Sequence, residues 1–335
     1  MEKIFNGLYK FISRIELLMS LDLSCIEQFA IGDNLRSFLM YQSELKGCTK
    51  NFLQTKDLLM LPVHTTPTRS GAFKGIFKAT ELPFLINGSN QYGKLRSSSV
   101  AKENLPSFVD QTFLMNGNFF VMPEAQTVHE LQGLCGSAPT TPRALESWVN
   151  QFRDQFHLTR LFLDALSVFR SSHMVRWFDS HLSMTSYVLF CIVYFRYIGF
   201  ELSSELIVRK MSDSLILRSY TPDLAVRFSE KESSCFFPSQ KFIVRREASC
   251  DGKQRGTYLL FQNSDSSLIK RELFLFGDSH SFSALAPLMS HVFETVHAYW
   301  GIPDDFVSFI SRRCVTSKPQ LLVECTERFF LRNSQ

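Results

Sequence analysis

No two cysteines in the sequence stand in C-x-x-C spacing, although the 335 residues include eight cysteines. A structural zinc site needs closely spaced Cys or His ligands, and a small disulfide scaffold needs a dense cysteine framework. The scattered cysteines therefore argue against both, and we predict no metal site. Several cysteines lie among apolar residues, where a free thiol behaves as a small hydrophobic side chain. This usage suits a reducing compartment.

Runs of a single charge are missing as well. The 36 Lys and Arg residues are interspersed with 32 Asp and Glu residues, and the net charge is only +4. No run of five or more basic residues occurs, whereas such runs are typical of tails that bind nucleic acid. We therefore predict that nucleic acid is not a partner.

Long hydrophobic runs are also absent. The longest, residues 187–195, is much shorter than the roughly 20 apolar residues that a membrane-spanning helix needs. The first 20 residues contain no apolar stretch followed by a small-residue cleavage site. Their apolar positions recur with the period of an amphipathic helix instead. We expect no transmembrane segment, no export signal and a cytoplasmic location.

The composition is that of a globular protein with a large core, since 45% of the residues are hydrophobic and 20% are charged. Residues 1–60 are predicted to be largely helical, and the Thr-, Pro-, Gly- and Ser-rich stretch at 65–75 is the best candidate boundary. We predict two parts, a helical N-terminal region (1–75) and an α/β domain (76–335).

The last third of the chain alternates apolar strands with amphipathic helices. Strands are predicted at 273–276, 296–299 and 321–323, and helices at 281–293 and 304–312. Continuously apolar strands separated by helices indicate a parallel sheet covered on both faces, which is a three-layer α/β fold. Further elements are predicted upstream: strands at 119–122 and 161–166, and a helix at 184–198 that stops at Gly199.

Residues 205–263 have a different pattern, with short β-type runs that flank turn sequences. One predicted hairpin pairs residues 241–246 with 257–261 around Asp251-Gly252, which is a strong turn signal. We interpret this block as an antiparallel β insertion or a lid.

The most informative residue for chemistry is Ser279, which follows the predicted strand 273–276 through Gly277 and Asp278. In an open parallel sheet, functional residues collect at the carboxyl ends of the strands. Glycine allows a sharp turn and close substrate approach there. The following helix offers free N–H groups to a developing oxyanion. The alternative to a catalytic role is an ordinary turn in which the serine caps the following helix.

A serine nucleophile needs a base, and His181 is the best candidate among the eight histidines. Asp179 precedes it by two residues, just before a predicted helix, where a carboxylate can orient the imidazole. We expect the adjacent His280 to point elsewhere along the chain, and His291 lies in the predicted helix 281–293. Taken alone, Asp-x-His is equally compatible with a helix cap followed by a core histidine.

The order of these motifs resembles that of the SGNH-hydrolase-like family of the alginate O-acetylation proteins (AlgX/AlgJ type). In that family the Asp-x-His pair precedes the serine, a circularly permuted arrangement of the SGNH order. The likeness covers about residues 80–331 and is carried by four segments: FFVMPE at 119–124, FDSHLS at 178–183, LFGDSHS at 275–281, and KPQLLVE at 318–324 followed by ERF at 327–329.

The resemblance implies an SGNH-like, flavodoxin-like permuted α/β domain that carries out O-acetyl transfer or acetyl-ester hydrolysis on a sugar or polysaccharide hydroxyl. Ser279 would take the acyl group, His181 would act as general base and acid, and Asp179 would orient it. No bound cofactor is implied, but a transferase needs an acetyl donor as co-substrate. Candidate oxyanion or substrate contacts are Gly277, Asn116, Asn87 and Arg328.

The chain departs from the family pattern at Leu182, where the family has Trp, and at Gln320, where it has Asp. The alternative reading is therefore a catalytically inactive SGNH-like protein that binds glycans or serves as a scaffold. The acyl donor, the acceptor and the oligomeric state do not follow from the residues.

Overall fold

The computed structural model describes residues 119–123, 156–168, 181–220, 233–249, 255–301 and 320–327, together with positions 128, 131, 145, 149, 150 and 330. The predicted N-terminal helical region, its boundary near residue 75 and the predicted helix at 304–312 lie outside them, so those expectations stay predictions.

The described part of the chain is a mixed α/β fold around a six-stranded sheet with a largely parallel core. Its strands are β1 Phe119–Met122, β4 Ile243–Glu247, β5 Tyr258–Gln262, β6 Ile269–Gly277, β7 Phe293–Trp300 and β8 Gln320–Thr326. β1, β8, β6 and β7 are parallel neighbours in that order, and β5 and β4 continue the sheet antiparallel.

The predicted strands at 119–122, 273–276 and 321–323 are all confirmed, and two of them are longer than predicted. All four β1 side chains are buried, as expected of a strand with no polar alternation. β1 is also tied to the neighbouring helical layer, because the Val121 amide donates to Thr159 Oγ1 at 2.9 Å. The apolar runs of the sequence therefore became the centre of the sheet.

Two helices pack beside β1, α1 (His157–Val168) and α2 (Met184–Tyr197). The strand predicted at 161–166 is wrong, because these residues belong to α1. Leu158, Leu161, Phe162, Ala165 and Leu166 are buried, which is the helical spacing i, i+3, i+4, i+7, i+8. A run of six mostly apolar residues is too short to distinguish a buried strand from the buried face of a helix.

α2 is confirmed as the predicted helix, and every residue from Met184 to Phe195 is buried. Ser183 caps its N-terminus by accepting the Ser186 amide at 3.4 Å. At the other end, Gly199 adopts a positive φ of 81°, and the Phe200 amide donates to the Phe195 carbonyl at 2.9 Å. This is the left-handed helix ending that glycine favours.

A third helix, α3, spans Ser204–Ser212. Between β6 and β7 the chain forms a short π-helical turn (Ser281–Leu285) that continues into α4 (Ala286–Met289). The helix predicted at 281–293 therefore ends early, and β7 begins at Phe293 rather than near Val296. The Ser290 hydroxyl donates to the Pro287 carbonyl at 2.7 Å and Asn263 Nδ2 donates to the Ser290 carbonyl at 2.9 Å, so side chains take part in ending the helix.

The block at 205–263 divides between two sheets. β2 (Leu215–Tyr220) and β3 (Ser233–Pro238) pair antiparallel in a small sheet of their own. The predicted hairpin at 241–246 and 257–261 is confirmed as β4 and β5, but these strands extend the central sheet. The predicted β-type block begins at residue 205, but residues 204–212 form the helix α3, which Ser203 caps by accepting the Leu206 amide at 3.2 Å.

Candidate active site

Ser279 lies just beyond the carboxyl end of β6, at the position where the sequence predicted it. β6 has β8 on one side and β7 on the other, so the serine stands at the middle of the parallel part of the sheet. Its side chain is half-buried. The Phe282 amide donates to the Asp278 carbonyl at 3.0 Å, which begins the helical turn around the serine.

His181 lies directly before α2, and its ring faces the serine. The distance from His181 Nε2 to Ser279 Oγ is 3.1 Å, within hydrogen-bonding range, although 98 residues separate the two along the chain. The cap at Ser183 fixes where α2 begins and with it the approach of His181. The fold thus brings together the two residues that the sequence singled out at separate elements.

Several other candidates fall outside the described residues. Asp179, the predicted orienter of His181, and Asn87, Asn116 and Arg328 are among them. Their proposed contributions therefore stay predictions.

His280 belongs to the site, contrary to the expectation that its ring points elsewhere. Its ring centroid lies 4.8 Å from that of His181, and its Nδ1 lies 2.7 Å from the Tyr187 hydroxyl on α2. Both His280 and Tyr187 are only 1% exposed. His280 is therefore packed against the candidate base, and the sequence signal was simply its position next to the serine at the start of a helix.

Asp278 is more than a turn residue. Its Oδ1 accepts the His280 amide at 3.0 Å, and its Oδ2 accepts the Thr326 amide at 3.2 Å together with the Thr326 hydroxyl. The middle residue of Gly-Asp-Ser therefore ties the serine turn to the end of β8. Three donors therefore converge on one carboxylate.

Glu324 on β8 lies on the other side of the turn, and sequence reasoning gave it no role. Its Oε2 accepts the Asp278 amide at 3.2 Å and the Ser281 hydroxyl at 2.8 Å. Glu324 is 1% exposed. Burial and the adjacent charge of Asp278 raise the pKa of the Glu324 carboxyl well above its usual value. A lone Glu within an apolar strand was the signal that could have found it.

Gly277 was assigned to substrate or oxyanion contact, and the structure reveals a further constraint on it. A Cβ placed there would lie 2.5 Å from Ser281 Oγ and 2.6 Å from Glu324 Oε2. Side chains inside the protein already occupy the space, so glycine is required by packing beneath the turn. A contact between Gly277 and a substrate stays a prediction.

The arrangement has the parts that acyl transfer requires, a hydroxyl and an imidazole nitrogen in direct contact. Ser279 also begins a helical turn, where backbone N–H groups are not used by the helix itself. Its own amide is the nearest candidate donor to an oxyanion formed on a group attached to Oγ.

Among the described residues, no group of three or more His, Cys, Asp or Glu side chains could hold a metal ion. No helix in the described ranges is long and apolar enough to cross a membrane. The acetyl donor that a transferase would need stays an expectation.

No protein-family profile matches this sequence, and no curated protein matches it. Solved structures do resemble it. The chain is similar to Bacillus cereus PatB1 carrying a sulfonyl adduct, with 12% identity, a TM-score of 0.43, and coverage of 72% of this chain and 89% of that one. A second PatB1 structure has 12% identity, a TM-score of 0.41, and coverage of 72% and 91%.

The chain is also similar to a DHHW family protein from Eubacterium siraeum, with 12% identity, a TM-score of 0.41, and coverage of 73% of this chain and 86% of that one. At this identity and these TM-scores, a functional conclusion has to come from the chain's own residues.

Proposed function

We propose that this protein is a serine acyl-transfer enzyme that moves or removes an acetyl group on a glycan hydroxyl through an acyl-enzyme. One observation carries the proposal, the 3.1 Å contact between His181 Nε2 and Ser279 Oγ at the carboxyl end of a central parallel strand. A free serine hydroxyl is a poor nucleophile at neutral pH, and an imidazole in direct contact is the usual means of activating it.

In the first half of the proposed reaction, Ser279 Oγ attacks the acetyl carbonyl while its proton moves to His181 Nε2. The carbonyl oxygen becomes an oxyanion beside the Ser279 amide, which donates a hydrogen bond to it. The tetrahedral intermediate then collapses. The bond to the leaving oxygen breaks, and the proton on His181 goes to that oxygen as the alcohol departs.

In the second half, a water molecule or a sugar hydroxyl attacks the acetyl-serine. His181 accepts the proton of the attacking group and returns it to Ser279 Oγ when the ester bond breaks. Water yields acetate, and a sugar hydroxyl yields an acetylated glycan. In both halves, Asp179 is the proposed partner of the other ring nitrogen, since a carboxylate there keeps Nε2 free to accept a proton.

The contact supports catalysis over the alternative of an inactive glycan-binding or scaffold protein. A site that had lost its reaction would have no need to keep the nucleophile and base in direct reach of each other. This contact supports the reaction class. The glycan acceptor is supported only by the resemblance of the four sequence segments to the alginate O-acetylation proteins.

The test is the hydrolysis of a simple aryl acetate by the purified full-length protein. Ser279→Ala removes the attacking oxygen, and we expect the turnover rate to fall by about 10⁴-fold or more. Wild-type protein stopped with acid should carry one acetyl group, located on Ser279 by peptide mass spectrometry.

Ser212→Ala is the matched control, because that hydroxyl donates to the Val208 carbonyl within α3 and takes no part in the site. Full activity of Ser279→Ala would contradict the proposal, as would wild-type protein without activity or acetyl-serine. Addition of oligosaccharide acceptors to the active enzyme then separates transfer from hydrolysis.

A further inference from the structure

Glu324 is a buried carboxyl group on β8 whose nearest neighbours along the strand are apolar. β8 pairs with β6 so that Val323 lies opposite Phe276, which puts Glu324 beside Gly277, where β6 ends. Its strand neighbours Leu322, Val323 and Cys325 are buried as well. A carboxyl group in such a place is costly unless it is hydrogen-bonded, paired with a cation or neutral.

The contacts of Glu324 reach both sides of the nucleophile turn. Oε2 accepts the amide of Asp278, the residue before Ser279, and the hydroxyl of Ser281, two residues after it. Gly277 leaves the space in which that oxygen lies. One carboxyl oxygen therefore holds the backbone of the turn on the strand side and a side chain on the helix side.

Glu324 has another acid, Asp278, as a neighbour. After burial, which has the larger effect, the charge of Asp278 raises the pKa of the Glu324 carboxyl. Within the described residues, the Glu324 Oε1 atom is buried and has no donor. Two adjacent carboxyl groups in one site cannot both be charged at low cost, and a shared proton resolves the conflict.

The surroundings of the two acids differ. Asp278 is half-buried and accepts two backbone amides and the Thr326 hydroxyl. Glu324 is deeply buried and accepts two donors on one oxygen only. Within the described sheet, Glu324 lies opposite Phe120 of β1 and beside Gly277 of β6, neither of which carries a charge. The titratable His280 belongs to the same turn as Asp278, and its ring packs against that of His181.

We propose that Glu324, in its protonated form, is a positioning residue that clamps the turn of Ser279 by pairing with the Asp278 carboxylate. The clamp holds Ser279 Oγ opposite His181 Nε2 and keeps the Ser279 amide aimed at the oxyanion. This inference rests on the proposed function of Ser279. Loss of the proton would set two negative charges against each other directly beneath the nucleophile.

The first arm of the test measures how fast an arylsulfonyl fluoride modifies Ser279, followed by intact mass at fixed concentration of folded protein. Glu324→Gln keeps a neutral acceptor of nearly the same shape and should react within about threefold of wild type. Glu324→Ala leaves the Asp278 amide and the Ser281 hydroxyl without an acceptor, and we expect a loss of about tenfold or more. Glu294→Gln on β7 is the control and should react like wild type.

Ser281→Ala gives a second route if Glu324→Ala does not fold. It removes one donor to Oε2 without leaving a buried charge, and it should slow modification of Ser279 by roughly fivefold, which corresponds to one lost hydrogen bond. A merely structural role would lower thermal stability in these variants while the folded protein reacted at the wild-type rate. That outcome would overturn the proposal.

The second arm does not depend on activity and compares the pH dependence of unfolding for wild type and Glu324→Gln. If the folded protein keeps the Glu324 proton above pH 4.5, the wild-type folding constant falls relative to the variant by up to about tenfold per pH unit as pH rises. Parallel curves would overturn the protonated clamp. Wild type that reacts with no sulfonyl fluoride while the curves diverge would instead count against the function of Ser279.

Discussion

His181 Nε2 lies 3.1 Å from Ser279 Oγ, and the ring of His181 also lies against that of His280, with 4.8 Å between centroids. His280 in turn contacts the Tyr187 hydroxyl on α2. His280 therefore connects the turn that carries Ser279 to α2, the helix that begins after His181. The candidate base therefore contacts two consecutive residues of the turn, Ser279 and His280.

Removal of the candidate base should abolish most of the proposed esterase activity. His181→Ala leaves the Ser279 hydroxyl without a proton acceptor in direct contact, so we expect kcat for an aryl acetate to fall by roughly 10³- to 10⁴-fold. The measurement is the rate of aryl alcohol release by purified protein. The same variant should be modified more slowly by sulfonyl fluorides, because the serine is no longer activated.

His157→Gln is the control for a lost imidazole. His157 stands at the first turn of α1 and its ring lies 5.6 Å from that of Tyr197, so its replacement should leave the rate unchanged. Equal losses in both variants would mean that the His181 effect comes from the fold and not from the reaction.

Gly277→Ala should destabilise the protein through contact and not through backbone conformation. The added methyl group would meet Ser281 Oγ at 2.5 Å and Glu324 Oε2 at 2.6 Å, so the clamp or the strand end has to move. We expect a loss of about 1–3 kcal/mol in the free energy of unfolding, measured by chemical denaturation, together with slower modification of Ser279.

Gly199→Ala is the comparison, because a Cβ there meets no atom within 4 Å but the backbone has a φ of 81°. It should cost about 1 kcal/mol through conformation alone and leave the reactivity of Ser279 intact. Reactivity lost to the same degree in both variants would contradict the packing role assigned to Gly277.

The free energy of unfolding should depend on pH through the titration of His291, which is 6% exposed. Burial, with a smaller contribution from Lys241 and Lys210, lowers the pKa of His291 from 6.5 to about 4. Between these values the unfolded chain binds a proton that the folded protein does not, so stability is full above pH 6.5 and falls as the pH drops toward 4. After allowance for solvent screening, the loss should be about 2 kcal/mol.

The measurement is the free energy of unfolding by denaturant between roughly pH 4.5 and 7.5, for wild type and for His291→Gln. The variant cannot take up the proton, so its curve should be flatter on the acid side. If the two curves run parallel, His291 is not the group that titrates on unfolding.

Local patterns were sufficient for many of the elements. The apolar strands β1, β6 and β8 and the long buried helix α2 follow from continuous hydrophobic runs and from caps at Ser183 and Gly199. The error at 161–166 arose because a short apolar run is compatible with both periods. The early end of the helix after Ser279 depends on side-chain bonds at Ser290 and Asn263, which no periodicity encodes.

The sequence by itself determined that a serine follows a buried strand through Gly-Asp, and that a histidine precedes a capped helix. Only the tertiary structure decided that these two side chains touch, because the contact spans 98 residues and depends on how α2 packs against the helical turn after β6. It also decided the setting of Glu324, Asp278 and His280. Burial and neighbouring charge, which set the protonation of a carboxyl group, exist only once the strands have paired.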